Sequence, residues 1–279
     1  MDSATILSTS SLGKNTPVIT HYDKSLLFPI KRKPNTPSSS VTPSPVFYGV
    51  DIWHAYEISW LNPKGKPHVA IGQFEIPCDS PSLIESKSFK LYLNSINHHV
   101  FQSITAVEAC LKEDLSNAAG APIKLALTPL SHDQQPLTLQ CPKGICLDTL
   151  DIHCDDTTPN TAHLATHEST QIVDETLYSH LLRSNCPVTG QPDWGTLWLR
   201  YHGHPIDHHG LLKYIVSYRH HNALHEQCVE QIFTDIMTHL KPNSLEIYAA
   251  YTRRGGLDIT PFRTTDSHFS TAIPRFIRQ

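Results

Sequence analysis

The chain has 279 residues, 39% hydrophobic and 17% charged, with a formal net charge of −4. This describes an ordinary globular chain of about two domains that can bury a sizeable core. The lack of a positive excess argues against a nucleic-acid surface, where dense Lys and Arg displace counterions from phosphates. No stretch approaches the roughly 20 apolar residues of a membrane span, and the N-terminus MDSATILSTS has no basic region followed by an apolar run. Seven cysteines without a secretory signal read as reduced thiols, so the expected location is the cytoplasm.

Residues 1–47 are rich in Ser, Thr and Pro and enclose one apolar island, SLLFPI. They read as a partly flexible arm whose island docks on the body. A first module follows over 48–130. Within it VAIGQFEIP (69–77) alternates as a half-buried strand, Ile104, Val107 and Leu111 keep helical spacing, and IKLAL (123–127) is a further strand. Residues 131–172 connect the modules: CLDTLDI is a candidate strand closing the first sheet, and the rest reads as exposed. The second module and C-terminal tail occupy 173–279. Strands are expected at TLWLRY (196–201) and LEIYAAY (245–251), with a helix after His225 whose apolar stripe is Val229, Ile232, Phe233, Ile236, Met237 and Leu240. Each module therefore reads strand, strand, helix pair, strand, strand, which is an α+β class.

The modules are copies. Adding 122 carries Ile84 to Ile206, Tyr92 to Tyr214, Ser95 to Ser217, His99 to His221 and Glu108 to Glu230. Upstream the offset is 125, laying Gly65 on Gly190 and Pro67 on Pro192, with Leu61 where the second copy has Cys186 and His68 where it has Asp193. Conversely Glu85-Ser86-Lys87 faces Asp207-His208-His209, and His225-Glu226 faces Ser103-Ile104. Reciprocal loss of chemistry suggests one site assembled from both copies.

Cys186 stands in a loop, SNCPVTGQPDWG, broken by Pro187, Gly190 and Pro192, where a thiol can be accessible to a substrate. Cys110 and Cys228 fall within helical patterns and read as packing residues. Asp193 closes the same loop and can exchange a proton beside the sulfur, and His225 adds a proton carrier near neutral pH. The alternative for the loop alone is a turn thiol with a strand-capping Asp.

Together SNCPVTGQPDWG, the HEQC segment (225–228), IESKSFKLYLNS (84–95) and YTRRGGLDITPF (251–262) resemble the 7-cyano-7-deazaguanine reductases of queuosine biosynthesis in their long, tandem-module form. The resemblance runs from about Tyr48 to Phe262. It implies tandem tunnelling-fold modules, each an antiparallel sheet with a helix pair on one face, and reduction of a nitrile to a primary amine with two NADPH. It also implies that Cys186 attacks the nitrile to form a thioimide, Asp193 protonates nitrogen and His225 assists later proton transfers. Substrate contacts fall by the same resemblance on Ile84, Glu85, Ser86, His225 and Glu226, and NADPH contacts on Ser86, Lys87, Arg254 and Gly255.

Glu226 suits a guanine-like edge, since a carboxylate accepts from both the ring N–H and the exocyclic amine. No G-x-G-x-x-G follows a strand, so a dinucleotide is not held in a Rossmann turn. The spacing of Cys141, Cys146, His153 and Cys154 is too loose for a zinc site, and no metal is expected. Two modules per chain make a homodimer the simplest assembly, with a small 7-deazapurine as ligand and neither nucleic acid nor membrane as partner. Two other readings stay open: a thiol-dependent nitrile or amidine hydrolase of the same fold, and a purine-binding protein without turnover.

Overall fold

A computed structural model of the chain describes residues 19–32, 46–130, 138–167 and 171–279. The parts of the expected arm at 1–18 and 33–45 lie outside the described residues. The chain divides into two compact units: unit 1 holds Met1–Lys33, Asp51–Leu137 and Arg253–Ile259, and unit 2 holds Pro34–Val50, Thr138–Thr252 and Thr260–Gln279.

In unit 1 the chain forms β1 (Pro29–Lys31), β2 (Tyr48–Leu61, from Asp51 onward), β3 (Pro67–Pro77), β4 (Ser82–Ile84), α1 (Ser86–Ser95), α2 (Ile104–Ala119) and β5 (Lys124–Pro129). β3 pairs antiparallel with β5 and has β2 on its other side. Ala70, Gly72, Phe74 and Ile76 alternate inward along β3, so one sheet face meets the helices in a core with Trp53, Phe89, Tyr92, Val107, Leu111 and Leu115. Ser103 caps α2 by accepting from the Ala106 amide, and Gly120 ends it at φ 74°.

Unit 2 repeats the plan with β6 (Ile145–Cys146), β7 (Val173–Asn185), β8 (Pro192–Gly203), α3 (His208–Val216), α4 (His225–His239), β9 (Ser244–Tyr251) and the later residues of β10 (Leu257–Thr264). The order within this unit is β10-β9-β8-β7-β6, antiparallel except for the short β6–β7 pairing. The α+β class is present, and both units carry the expected sheet and helix pair. Val229, Ile232, Phe233 and Ile236 form the buried stripe of α4.

The duplication reaches further than the sequence overlay. In unit 1 the Tyr92 hydroxyl donates to Asp114 (2.6 Å), and in unit 2 that of Tyr214 donates to Asp235 (2.6 Å), each joining the two helices. Ser95 and Ser217 both donate to the carbonyl three residues before them, at Tyr92 and Tyr214 (2.6 Å each), and accept from the Asp23 and Asn160 amides. Asp23 and Asn160 each start a short 3₁₀ turn that docks on its module. Next, Glu85 N–H donates to Phe28 O and Asp207 N–H to Ala165 O. The SLLFPI island and part of the connector are thus the same strap used twice.

Two expectations need correction. CLDTLDI does not close the first sheet: Ile145–Cys146 pairs parallel with β7 in unit 2, and Leu147–Thr149 is a 3₁₀ turn with Leu147 fully buried. Asp148 holds it there by accepting from Ser179 Oγ (2.6 Å) and the His180 amide (2.9 Å). The overlay also slips by one residue at two places. Leu61 N–H donates to His99 O and Leu61 O accepts from Phe101, as Asn185 does with His221 and Ala223, so Asn62 is the counterpart of Cys186. Beyond this, the matching Tyr–Asp pairs set Asp114 on Asp235 and so Ile104, not Ser103, on His225.

Removing the Asp235 carboxylate takes the charged acceptor from the Tyr214 hydroxyl, which burial keeps protonated, and leaves it the Tyr218 hydroxyl (2.8 Å) as a neutral partner. Asp235→Ala is expected to cost about 1–3 kcal/mol of unfolding free energy, read from denaturant midpoints, with Asp114→Ala comparable. A loss within error for both would show that neither pair joins its helices.

Candidate active site

In unit 2, β7 ends at Asn185 and the chain turns at once, with Pro187 unable to donate to a ladder and Gly190 at φ 66°. The Cys186 amide donates to Gln191 O (2.8 Å) and its carbonyl accepts from Gly190 (2.9 Å). The backbone of Cys186 is therefore pinned on both sides while its side chain is half-buried. Asp193, the second residue of β8, faces Ser184 across the ladder and is 3% exposed.

His225 is the first residue of α4, and its Nε2 lies 3.9 Å from Asp193 Oδ2. That separation is longer than a hydrogen bond but close enough for each to feel the other's charge. The Tyr251 ring stands perpendicular to the His225 ring, with centroids 4.0 Å apart, and fixes its plane. Glu226 is buried in the first turn of α4, where the helix dipole favours a carboxylate. Cys228 is fully buried, and burial pushes its thiol up to about 12, so it stays protonated. Unit 2 thus sets His225 beside Asp193, just past the turn that carries the more accessible thiol, with Glu226 following His225 on the first turn of α4.

In unit 1, β4 ends at Ile84 and Glu85 caps α1. One carboxylate oxygen accepts from the Lys87 amide and the other from the Ser88 amide, both at 2.8 Å. Glu85 is 2% exposed, so it is not a solvated helix-entry residue. Burial raises its pKa, and the two amide bonds oppose that. Oε1 also accepts from Ser86 Oγ (3.5 Å), and Oε2 has a second lone pair to offer a ligand donor. Ser86 and Lys87 are half-buried on the first turn.

Arg254 and Gly255 form an exposed tight turn closed by Arg254 N–H to Leu257 O (2.9 Å) and Leu257 N–H to Arg254 O (3.1 Å). Gly255 and Gly256, at φ 59° and 78°, occupy left-handed positions that a side chain resists. Lys90 Nζ donates to Gly255 O and to Glu57 Oε2 (2.9 Å), so this turn is tied to α1 one turn beyond Lys87. Arg253 lies 3.4 Å over the Tyr56 ring, whose hydroxyl donates to buried Asp258 (2.7 Å). Sequence reasoning passed over Lys90, although its i+3 spacing from Lys87 puts both on one helical face. It also passed over Tyr251, for which the apolar stripe of β9 carried no signal. Among the described residues no group of three His, Cys, Asp or Glu is arranged to hold a metal.

Residues 18–127 match the family described as nitrile reductase, 7-cyano-7-deazaguanine-reductase N-term, and residues 192–269 match that described as QueF-like protein. The NADPH-dependent 7-cyano-7-deazaguanine reductase of Dechloromonas aromatica is 54% identical over 97% of this chain and 95% of its own. The chain belongs to the 7-cyano-7-deazaguanine reductase family. Family relatives of the same name from Cupriavidus metallidurans and Cupriavidus necator are each 52% identical, covering 91% and 95% of this chain and 92% and 95% of theirs. Within the family match, the Glu85 to Lys87 element falls in the N-terminal segment, and Asp193, His225, Glu226 and Arg254 fall in the other. No helix among the described residues is long and apolar enough to cross a membrane.

Proposed function

We propose that this protein reduces the nitrile of 7-cyano-7-deazaguanine to the aminomethyl group with two NADPH, through a thioimide on Cys186, in queuosine biosynthesis. The observation that supports this reading is the approach of His225 Nε2 to within 3.9 Å of the buried Asp193 carboxylate, which stands just past the turn that pins the Cys186 backbone. The relatives' shared name supports the substrate and the reductant.

The Cys186 sulfur bonds to the nitrile carbon, the triple bond becomes C=N, and Asp193 supplies the proton that nitrogen takes up. A hydride then adds to that carbon, and collapse breaks the C–S bond, returning the thiolate and releasing an imine. The second hydride and a further proton, passed through His225, yield the amine. A nitrile carbon is a poor hydride acceptor and a protonated thioimide is a better one, which is what the covalent step contributes. Glu226 and Glu85 would hold the purine edge by accepting its N–H groups. Ser86, Lys87, Arg254 and Gly255 would hold NADPH: the exposed Arg–Gly turn and the basic face of α1 fit an anionic dinucleotide, which supplies hydride when bound.

The test is incubation with 7-cyano-7-deazaguanine, with and without NADPH, followed by intact mass, NADPH loss and product mass. The expected result is an adduct without NADPH, and an amine with two NADPH consumed per nitrile. Ammonia release without NADPH consumption would make the protein a thiol hydrolase, and binding with no adduct would make it a purine binder.

A further inference from the structure

We infer that Asn185 is a positioning residue that couples the Cys186 thiol to the segment carrying His225 and Glu226, and that its side-chain amide separates the working module from its silent copy. This rests on Cys186 being the nucleophile.

Asn185 is 7% exposed and uses all four of its polar groups. Its N–H donates to His221 O (2.8 Å), and its carbonyl accepts from Ala223 N–H (3.2 Å). Its Oδ1 accepts from Arg183 Nη2 (3.2 Å), and its Nδ2 donates to Arg219 O (3.3 Å). Three of these partners lie on residues 219–223, the stretch that runs directly into α4. Both guanidiniums are also braced on one ring: Arg183 and Arg219 lie 5.5 and 5.6 Å from the centroid of Trp194, the neighbour of Asp193. Asn185, the last position before Cys186, is therefore joined to the segment that leads into the His225 helix, and the braces extend that junction to the strand of Asp193.

Unit 1 provides the internal comparison. Leu61 keeps the two backbone bonds, to His99 O and from Phe101 N–H, both 2.9 Å. It also keeps the matching parallel bridge, Leu61 with Val100 as Asn185 has with Asn222. The backbone pair thus suffices to build the junction, and the fold does not require the amide. The amide adds resistance to twisting at the residue whose Cα–C bond aims the Cys186 turn. A misaimed nucleophile loses rate steeply, since displacement of a reacting group by about 1 Å can cost about 100-fold.

Asn185→Leu, which installs the residue of the silent copy, tests this. The readout is the rate of adduct formation with 7-cyano-7-deazaguanine in the absence of NADPH, followed by quenched intact mass. The expected result is a fall of about 10- to 100-fold, with the dissociation constant for the base, measured in a Cys186→Ala background, within about twofold. Asn185→Asp keeps the acceptor for Arg183 and loses the donor, and should fall between the two. It also decides the question if the Leu variant does not fold. Adduct formation at the unaltered rate in a folded Leu or Asp variant, or a rate loss matched by an equal loss of base affinity, would overturn the inference. If the unaltered protein forms no adduct, the failure lies with the proposed chemistry instead.

Discussion

Cys186→Ala is expected to abolish the mass adduct and lower NADPH consumption at least about 1,000-fold, while binding of the base stays within about threefold. The asymmetry follows from the site. Cys186 supplies the bond-forming atom, and the carboxylates proposed to read the base, Glu226 and Glu85, are held by their own helix starts. The same substitution at Cys228 serves as the contrast. That thiol is fully buried and pushed up to about 12 by desolvation, so its loss should affect packing and leave the adduct. An adduct that survives in Cys186→Ala would remove the nucleophile from the proposed mechanism.

Asp193→Asn is expected to slow adduct formation by about 100- to 10,000-fold, the usual range for removing a positioned acid. The side chain is 3% exposed at the start of β8 and faces Ser184, so the isosteric amide keeps its place in the ladder. It cannot give up a proton to the nitrile nitrogen. Without that protonation the attack must generate an anionic thioimide in a poorly hydrated site, which is costly. His225, 3.9 Å away, does not replace it in the first step if its task is the later transfer. His225→Ala should accordingly leave the adduct and slow turnover. Equal adduct rates for Asp193→Asn and the unaltered protein would exclude Asp193 as the acid.

Much of the architecture was legible because it depends on local patterns. Alternation in VAIGQFEIP and the stripe from Val229 to Ile236 correspond to β3 and α4, since a face that meets a core must repeat with the period of its backbone. The duplication was legible from residue identities. Its register was not: one residue more in the Cys186 loop and one fewer before α4 shift the true counterparts, and only hydrogen bonds between segments distant in sequence reveal this. The strap shared by the arm and the connector was missed for a similar reason. Asp23 and Asn160 act through a backbone amide and a cap, and these functions demand little of residue identity.

For the site, residue types and their order alone identify the side chains chemically able to act: a thiol in a turn broken by Pro and Gly, a carboxyl at its far end, a His–Glu pair opening a helix, and a Glu-Ser-Lys element in the other copy. Side-chain chemistry is carried by residue type, and these types stand out against a duplicated background. The tertiary structure alone decided which of them are buried, what each one touches and what aims it. Glu85 is a buried cap, Cys228 is an inert neighbour, Lys90 ties the Arg254 turn to α1, and Asn185 joins the turn of Cys186 to the segment before His225. Those properties belong to pairs of residues brought together by folding, and a linear pattern has no means of expressing them.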